Sequence, residues 1–240
     1  MSPKISIVLT SYNRPNLVEE AIRSVFAQTF TNWELLLMDD GSNEETIETL
    51  DRVVDELDIT NLDPRVFFCG REVDEEERST KCRYALNIND GLKLSDGEYI
   101  TYLTDDCLFL PNRLERMAHE LDNDPNKMVV YGMQRVQVRY DGDWRNFRIR
   151  NTIGKTRSPM CQVDHNSIMH RALCLEKLTK PYWVEDKSAW MDGDAYFFEK
   201  LATHFDFYPI QEVLDICRIH DNSVQSLVKA GKSPLYSEEI

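Results

Sequence analysis

Two adjacent carboxylates, Asp105 and Asp106, directly follow an apolar run over residues 99–103. Two negative charges at the end of a buried strand cost free energy unless a cation neutralises them. Mg²⁺ commonly takes one or two carboxylates together with phosphate oxygens of a bound ligand. The pair therefore predicts a site for a divalent cation and a phosphorylated ligand. The alternative is that one of the two aspartates caps a turn or the helix predicted from Pro111.

A second acidic pair, Asp39 and Asp40, stands ahead of Gly41 and Ser42. An ionised aspartate only accepts hydrogen bonds, so it could accept one from the N3–H of uracil or thymine. The same four residues are equally typical of a turn that begins a helix, and Ser42 with Glu45 has the pattern of a capping box. These residue types leave both interpretations open.

A third acidic pair, Asp192 and Asp194, precedes a helical pattern over residues 195–201. Either carboxylate is a candidate general base, a role that requires reach to the acceptor proton and a suitable pKa. An N-cap is the simpler interpretation of an aspartate at the start of a helix. On spacing alone the cap is favoured here.

Short apolar runs alternate with helical patterns along the first 110 residues, which predicts an α/β fold with a parallel sheet covered by helices. Right-handed crossovers place the carboxyl ends of parallel strands on one edge, and ligands bind outside those ends. The predicted strands cover residues 4–10, 33–38, 65–68 and 99–103. The polar groups expected to meet beyond them are residues 10–13, 39–40 and 104–106.

The second half of the chain alternates less regularly. A helix is predicted from Pro111 to the residue before Pro125. His165 and His170 fall in a predicted strand, where a structural role is expected. The predicted strands of this half cover residues 129–140, 144–149, 163–169 and 213–219. Because no repeat or flexible linker interrupts the chain, we expect a single domain over residues 1–240.

The overall charge excludes several classes of function. The 240 residues carry 42 Asp and Glu against 28 Lys and Arg, a net charge of −14, which would repel nucleic acid and anionic membrane surfaces.

A hydrophobic fraction of 42% excludes a disordered acidic chain. No apolar run reaches the ~18 residues of a membrane helix. Six scattered cysteines indicate buried thiols in a reducing compartment, so we expect a cytoplasmic protein.

With these residues identified, the chain resembles family 2 glycosyltransferases of the GT-A fold. The resemblance implies a Rossmann-like, mostly parallel sheet flanked by helices, with smaller additional strands in the C-terminal half. It also implies a nucleotide-binding half over residues 1–110 and an acceptor-binding half over residues 111–240. The later matching stretches are similar to those of spore-coat polysaccharide transferases of this family. The stretches that carry the resemblance are residues 5–14, 28–42, 97–106, 164–171 and 193–198.

The resemblance assigns a donor-binding role to several strand-end residues. Thr10, Tyr12 and Asp40 would hold the pyrimidine base of a UDP- or dTDP-sugar, and Arg78 would approach the base from the next helix. Asp105 would lie beside the ribose. The implied partners are this nucleotide-sugar donor and a saccharide or other hydroxyl acceptor, without nucleic acid or a membrane span.

The resemblance also implies a metal ligand and a base. Asp106 would bind Mn²⁺ or Mg²⁺, and His220, in a late polar turn, could reach the same ion. Asp194 would activate the acceptor hydroxyl, with Asp192 as its rival. The chain departs from the family pattern at Thr104, where the metal motif usually has a first aspartate.

The implied reaction is an inverting, metal-dependent transfer of a sugar, in surface or spore-coat polysaccharide synthesis. Two alternatives from other classes remain. A sugar-nucleotide nucleotidyltransferase would also use strand-end carboxylates and a divalent cation. A non-catalytic relative would bind the nucleotide without turnover.

Residues 135–157 reverse the charge of the chain, with seven basic residues against two acidic ones. The hypothesis is that some of these residues border the donor diphosphate or an anionic acceptor. The alternative is that edge strands carry charge to avoid pairing with other sheets. In contrast, the acidic residues 72–77 are expected to form a solvated loop.

Overall fold

Runs of long and β-branched apolar residues form the parallel half of one sheet in a computed structural model, which describes residues 4–57, 66–221 and 226. Its strands are β1 (Ile5–Ser11), β2 (Trp33–Asp39), β3 (Val66–Gly70) and β4 (Tyr99–Thr104). They pair in parallel in the order β3-β2-β1-β4. Every residue of β1 and β2 is buried, as expected for strands covered on both faces. Residue 65, the first of the predicted third strand, lies outside the described residues.

Helices cover both faces of this half. The helices of the first half are α1 (Pro15–Phe26), α2 (Glu44–Leu57), α3 (Glu75–Thr80) and α4 (Arg83–Leu94). Apolar residues of α1 and α2 pack on one face of the sheet, and those of α4 pack on the other. The expectation of a loop over residues 72–77 is wrong from Glu75 onward. The side chain of Asp74 accepts a hydrogen bond from the Glu77 amide at 2.7 Å and so caps α3.

The C-terminal half extends the sheet with antiparallel and parallel strands. Its elements are β5 (Leu108–Phe109), α5 (Arg113–Asn123), β6 (Val129–Tyr140), β7 (Asp143–Arg150), β8 (Ile168–Arg171), α6 (Gly193–His204) and β9 (Phe207–Ile219). The strand order is β3-β2-β1-β4-β8-β6-β9-β5, and β7 pairs with β6. The α/β class and the additional strands are confirmed. The division into two functional halves stays a prediction.

Two strand boundaries in this half differ from those predicted. The strand expected near residues 163–169 begins only at Ile168, because the Asp164 side chain accepts from the Asn166 amide at 2.9 Å and bends the preceding residues into a turn. Strand β9 begins at Phe207, earlier than predicted, since it continues along β6 in parallel. Within the described ranges, none of the helices has the length and apolar content to cross a membrane.

His170 is buried on β8 in a fully neutral environment. Its Nδ1 lies 2.9 Å from the Arg171 carbonyl oxygen and its Nε2 lies 2.8 Å from the Tyr102 hydroxyl. A carbonyl only accepts, so Nδ1 carries the proton and Nε2 accepts from Tyr102. Burial lowers the pKa of His170 to about 4. The folded protein therefore resists a proton that the unfolded chain binds below the ordinary histidine pKa of about 6.5.

This burial predicts a specific acid sensitivity. The contribution of His170 to stability is complete above about pH 6.5 and is lost as the pH falls toward 4, because only the unfolded state takes up the proton in that window. Between pH 7 and pH 5 the free energy of unfolding should fall by about 2 kcal/mol through this group. In urea unfolding, the free energy of unfolding of His170→Gln should fall by about 2 kcal/mol less between pH 7 and pH 5 than that of the wild type. The control His119→Gln, at an exposed position, should show the same fall as the wild type. Equal pH dependence in both variants would contradict the assignment.

Candidate active site

The three polar strand ends meet at one edge of the sheet, as the alternation predicts. Thr10 lies in register with the ends of both β2 and β4. The Asp40 amide donates to the Ser11 carbonyl oxygen at 2.9 Å, and the Asp105 amide donates to the Thr10 carbonyl oxygen at 3.1 Å. The Tyr12 amide donates to Asp105 Oδ2 at 3.0 Å. The backbone itself therefore brings these residues together.

Asp40 is buried at the centre of a cluster of donors. Its Oδ1 accepts from Arg83 Nε at 3.0 Å and from Asn87 Nδ2 at 3.1 Å. Its Oδ2 accepts from Arg78 Nη1 at 3.2 Å, and the Arg78 guanidinium lies 4.2 Å from the centre of the Tyr12 ring. A carboxylate oxygen accepts about two hydrogen bonds, so Oδ2 retains acceptor capacity. Tyr12, Asp40 and Arg78 thus form one cluster.

The alternative interpretation of Asp39 and Asp40, a turn that begins a helix, applies to Asp39 alone. Its carboxylate accepts from the Ser42 amide at 2.9 Å and from the Ser42 hydroxyl at 2.5 Å, so Asp39 closes the turn. The predicted capping box does not form. Asn43, and not Ser42, caps α2 by accepting from the Thr46 amide at 3.0 Å. Asp39 therefore forms the turn, whereas Asp40 bonds to the arginines.

Arg83, which sequence reasoning missed, neutralises Asp40 in the interior. It is 6% exposed, and it also donates to Glu77 Oε1 at 2.5 Å. Removing one partner of a buried ion pair leaves an uncompensated charge. Arg83→Met should therefore lower the free energy of unfolding by about 3 kcal/mol. Arg71→Met, which removes a half-exposed partner of Asp90, should cost less than about 1 kcal/mol. Urea unfolding compares the two, and equal losses would contradict the role of Arg83.

Arg14 lies between the two carboxylates at the end of β4. Its Nη1 is 2.8 Å from Asp105 Oδ1 and 3.2 Å from Asp106 Oδ2. Burial raises the pKa of Asp105 despite the nearby arginine. Burial also acts to raise the pKa of Asp106, but His220 and Arg14 outweigh it and hold that pKa well below its usual range. Asp106 therefore keeps its negative charge to a lower pH than Asp105 does.

His220 reaches Asp106 from the far end of the chain. The residue follows β9, and its Nε2 lies 3.3 Å from Asp106 Oδ2. The other carboxylate oxygen accepts from the Thr104 hydroxyl at 2.7 Å. Thr104, where the family motif has an aspartate, thus orients Asp106 without adding charge. Neither aspartate caps α5, which has Asn112 at its N-cap.

The donor set at this point fits a divalent cation that is shared with a ligand. Nowhere in residues 4–57 and 66–221 do three His, Cys, Asp or Glu side chains form a group that could hold a metal ion. Asp106 and His220 supply two donors, and Mg²⁺-type ions commonly complete their coordination with substrate phosphates and water. The residues present therefore fit a cation held jointly with a diphosphate.

Asp194 lies in the first turn of α6 and faces His165. Its Oδ2 is 3.9 Å from His165 Nδ1, while its Oδ1 accepts from the Ala195 amide at 2.8 Å. Burial acts to lower the pKa of His165, but Asp194, Asp164 and Asp106 outweigh it and raise the pKa. The fields of Asp194 and Asp106 thus act on the same imidazole. His165 lies in a turn, and the expected strand position is wrong.

Asp192, the alternative candidate for the general base, has different surroundings from Asp194. Asp192 is exposed and makes no side-chain cap hydrogen bond, although it occupies the N-cap position of α6. Gly193 between them accommodates Tyr84, whose hydroxyl accepts from the Gly193 amide at 3.1 Å. A Cβ at this position would lie 2.3 Å from the Tyr84 hydroxyl oxygen. This close contact leaves no room for a side chain at position 193.

Asn166, also missed from sequence, ties the His165 turn to the end of β4. Its Oδ1 accepts from the Thr104 amide at 2.7 Å, and its carbonyl oxygen accepts from Arg113 Nη2 at 2.5 Å. Arg113 is fully buried with Asp215, and burial lowers the pKa of Arg113 to about 10 and raises that of Asp215 to about 7. This buried network fixes the His165 turn relative to Asp105 and Asp106, which follow Thr104.

Sequence comparisons show which family the chain belongs to. Residues 6–176 match the profile described as Glycosyl transferase family 2. The chain is 39% identical over 219 residues to protein CgeD of Bacillus subtilis strain 168, covering 90% of this chain and 50% of CgeD. It is 34% identical over 120 residues to the putative colanic acid biosynthesis glycosyl transferase WcaA of Escherichia coli K12, covering 50% of this chain and 38% of WcaA. The chain thus spans half or less of the length of these relatives.

Solved structures show the same fold. TarS of S. aureus, residues 1–349 in complex with UDP-GlcNAc, superimposes with a TM-score of 0.68 at 14% identity, covering 99% of this chain and 62% of TarS. The mannosyltransferase PcManGT from Pyrobaculum calidifontis, in complex with GDP-Man and Mn²⁺, gives a TM-score of 0.60 at 15% identity, covering 91% and 57%. The likeness to spore-coat transferases stays a prediction. Solved structures thus show the GT-A architecture, and the profile match establishes that this chain belongs to glycosyl transferase family 2.

Proposed function

We propose that this chain transfers a sugar from a UDP- or dTDP-sugar to an acceptor hydroxyl, with inversion and with Mn²⁺ or Mg²⁺, in surface or spore-coat polysaccharide synthesis. The observation that carries the proposal is that one sheet edge holds the cluster of Tyr12, Asp40 and Arg78, the Asp106 carboxylate beside His220, and the His165 turn that faces Asp194. The six free cysteines of the chain support a cytoplasmic location for the protein.

The Asp40 cluster supports a pyrimidine nucleotide. Asp40 Oδ2 retains capacity for one more donor, which suits the N3–H of uracil or thymine. Arg78 covers one face of the Tyr12 ring, so both side chains are held at the edge where the base would lie. The structural neighbours TarS and PcManGT are described with UDP-GlcNAc and GDP-Man, which supports a nucleotide-sugar donor in general.

In the proposed reaction Asp194 removes the proton from the acceptor hydroxyl. The acceptor oxygen then forms a bond to the anomeric carbon as the bond from that carbon to the diphosphate oxygen breaks, which inverts the configuration. Asp106 and His220 would hold a divalent cation that offsets charge on the departing diphosphate. His165 Nδ1 lies 3.9 Å from Asp194 Oδ2, where a protonated imidazole would stabilise negative charge on the base.

Product analysis tests the proposal against its alternatives. Incubation with a panel of UDP- and dTDP-sugars and saccharide acceptors should release the nucleoside diphosphate, and NMR of the product should show the anomeric configuration opposite to that of the donor. A parallel incubation with UTP or dTTP and a sugar 1-phosphate tests the nucleotidyltransferase, which would form the nucleotide sugar and release the β- and γ-phosphates as pyrophosphate. Nucleotide binding without release of either product, across the panel, would favour the non-catalytic alternative.

A further inference from the structure

Four arginines on the hairpin formed by β6 and β7 have no carboxylate partner among residues 4–57 and 66–221. All other arginines in the described part of the chain form an ion pair with Asp or Glu. In a chain with 42 acidic residues this is a local exception. An arginine that a protein leaves without a carboxylate can bind an external anion. The four are Arg135, Arg139, Arg145 and Arg148.

The strand register places three arginines on one face of the hairpin. Arg145 lies opposite Val138, Arg148 opposite Val136, and Arg150 opposite Gln134, with an irregularity that sets Phe147 apart. Directly opposed residues of an antiparallel pair share a face. We call this row of Arg145, Arg148 and Arg150 the arginine face. The first two are exposed.

The arginine face leads to the proposed base. Arg150, its innermost member, donates to Asp164 Oδ2 at 2.9 Å. Asp164 directly precedes His165, which faces Asp194. On the outer end, Arg145 lies 4.5 Å from the ring centre of the exposed Tyr140. A ligand along this row would therefore run from the hairpin tip toward the group that activates the acceptor.

We propose that the arginine face binds an anionic acceptor glycan, a polymer that carries phosphodiester or carboxylate groups, and directs it to Asp194. This inference rests on the proposed transferase function. Residues 135–157 carry +5, so the remainder of the chain carries −19 and repels such a polymer elsewhere. The guanidinium fork matches the paired oxygens of phosphate and carboxylate. The positive charge of the hairpin therefore favours the arginine face as the binding surface and an anionic polymer as its ligand.

Exposed apolar side chains on the same hairpin, above all Phe147 at 68% exposure, also suit an anionic membrane surface. The continuity from Arg145 through Arg150 to Asp164 favours the acceptor, because a membrane contact would require no path to the site. The experiment must therefore distinguish binding of an acceptor glycan from binding to a membrane.

The test compares two double variants with the same change in charge. Arg145→Glu with Arg148→Glu alters the arginine face, and Lys177→Glu with Lys187→Glu alters exposed lysines outside the hairpin. Binding is measured in EDTA, which removes any bridging cation, with polyphosphate, polygalacturonate and neutral dextran as probes. We expect the wild type to bind at least one of the two anionic polymers and not dextran. The hairpin variant should bind about tenfold more weakly and the lysine variant within about twofold of the wild type.

The two anionic polymers identify whether phosphate or carboxylate is preferred. Equal weakening in both double variants, or no binding of either polymer, would overturn the inference. So would loss of binding to phosphatidylglycerol vesicles in the hairpin variant with polymer binding unchanged. The affinities for UDP and for dTDP with Mn²⁺, measured on the same samples, separate the two proposals. Binding of either nucleotide without polymer binding contradicts only the role of the arginine face. Polymer binding without binding of either nucleotide contradicts only the proposed transferase function.

Discussion

Asp194→Asn should lower kcat by about 10²- to 10⁴-fold, the range that general-base catalysis contributes, while UDP affinity stays within about twofold of the wild type. The amide keeps the shape of the side chain and can still accept from the Ala195 amide, but it cannot take the acceptor proton. The cluster around Asp40, where we propose that the nucleotide binds, does not include this residue. Initial-rate kinetics and calorimetry with UDP measure the two effects separately.

Asp192→Asn provides the matched control, since it makes the same chemical change two residues away. Its carboxylate is exposed and makes no cap hydrogen bond, so its loss should leave kcat within about twofold. Full activity in Asp194→Asn would show that the base is elsewhere. Loss of turnover in Asp192→Asn alone would assign the role to the rival carboxylate.

Asp106→Asn should reduce kcat by about 10²-fold and weaken Mn²⁺-supported UDP binding by about tenfold or more. The substitution removes the negative charge that lies 3.3 Å from His220 Nε2 and that Arg14 shares. An amide oxygen is a weaker ligand than a carboxylate for a hard cation. The Mn²⁺ concentration that gives half-maximal UDP binding should therefore rise.

The control for this effect is Asp122→Asn at the opposite edge of the sheet. Asp122 pairs with Lys4, directly before β1, and so lies far along the strands from their carboxyl ends. The variant should retain both the Mn²⁺ dependence and kcat. An Asp106→Asn protein with unchanged Mn²⁺ dependence would contradict the assignment of Asp106 as the metal ligand.

The position of the site could be predicted because strand alternation fixes it. Apolar runs separated by helical patterns force a parallel sheet, and a parallel sheet places residues that follow different strands at one edge. The Asp40 amide consequently donates to Ser11 and the Asp105 amide to Thr10, and these backbone hydrogen bonds do not use the side chains. The hairpin of β6 and β7 was likewise predictable from alternation around a short turn.

The partners of the site residues could not be predicted, since they depend on tertiary contacts across many residues. Arg83 reaches Asp40 across 43 positions, and Asn166 reaches Thr104 across 62. No local pattern marks either residue, although a basic residue next to an apolar helical stripe was a weak signal for Arg83. The capping-box pattern at Ser42 failed for a related reason, because the Ser42 hydroxyl bonds to Asp39 instead.

The central claim is that the strand-end carboxylates bind a pyrimidine nucleoside diphosphate together with a divalent cation. Calorimetric titration of the full chain with UDP and with dTDP, each with and without Mn²⁺, tests it most directly. We predict binding of at least one nucleotide with Mn²⁺ and at least about tenfold weaker binding without it, because Asp106 and His220 alone supply too few ligands for a stable metal site. Absence of metal-dependent binding for both nucleotides would contradict the claim.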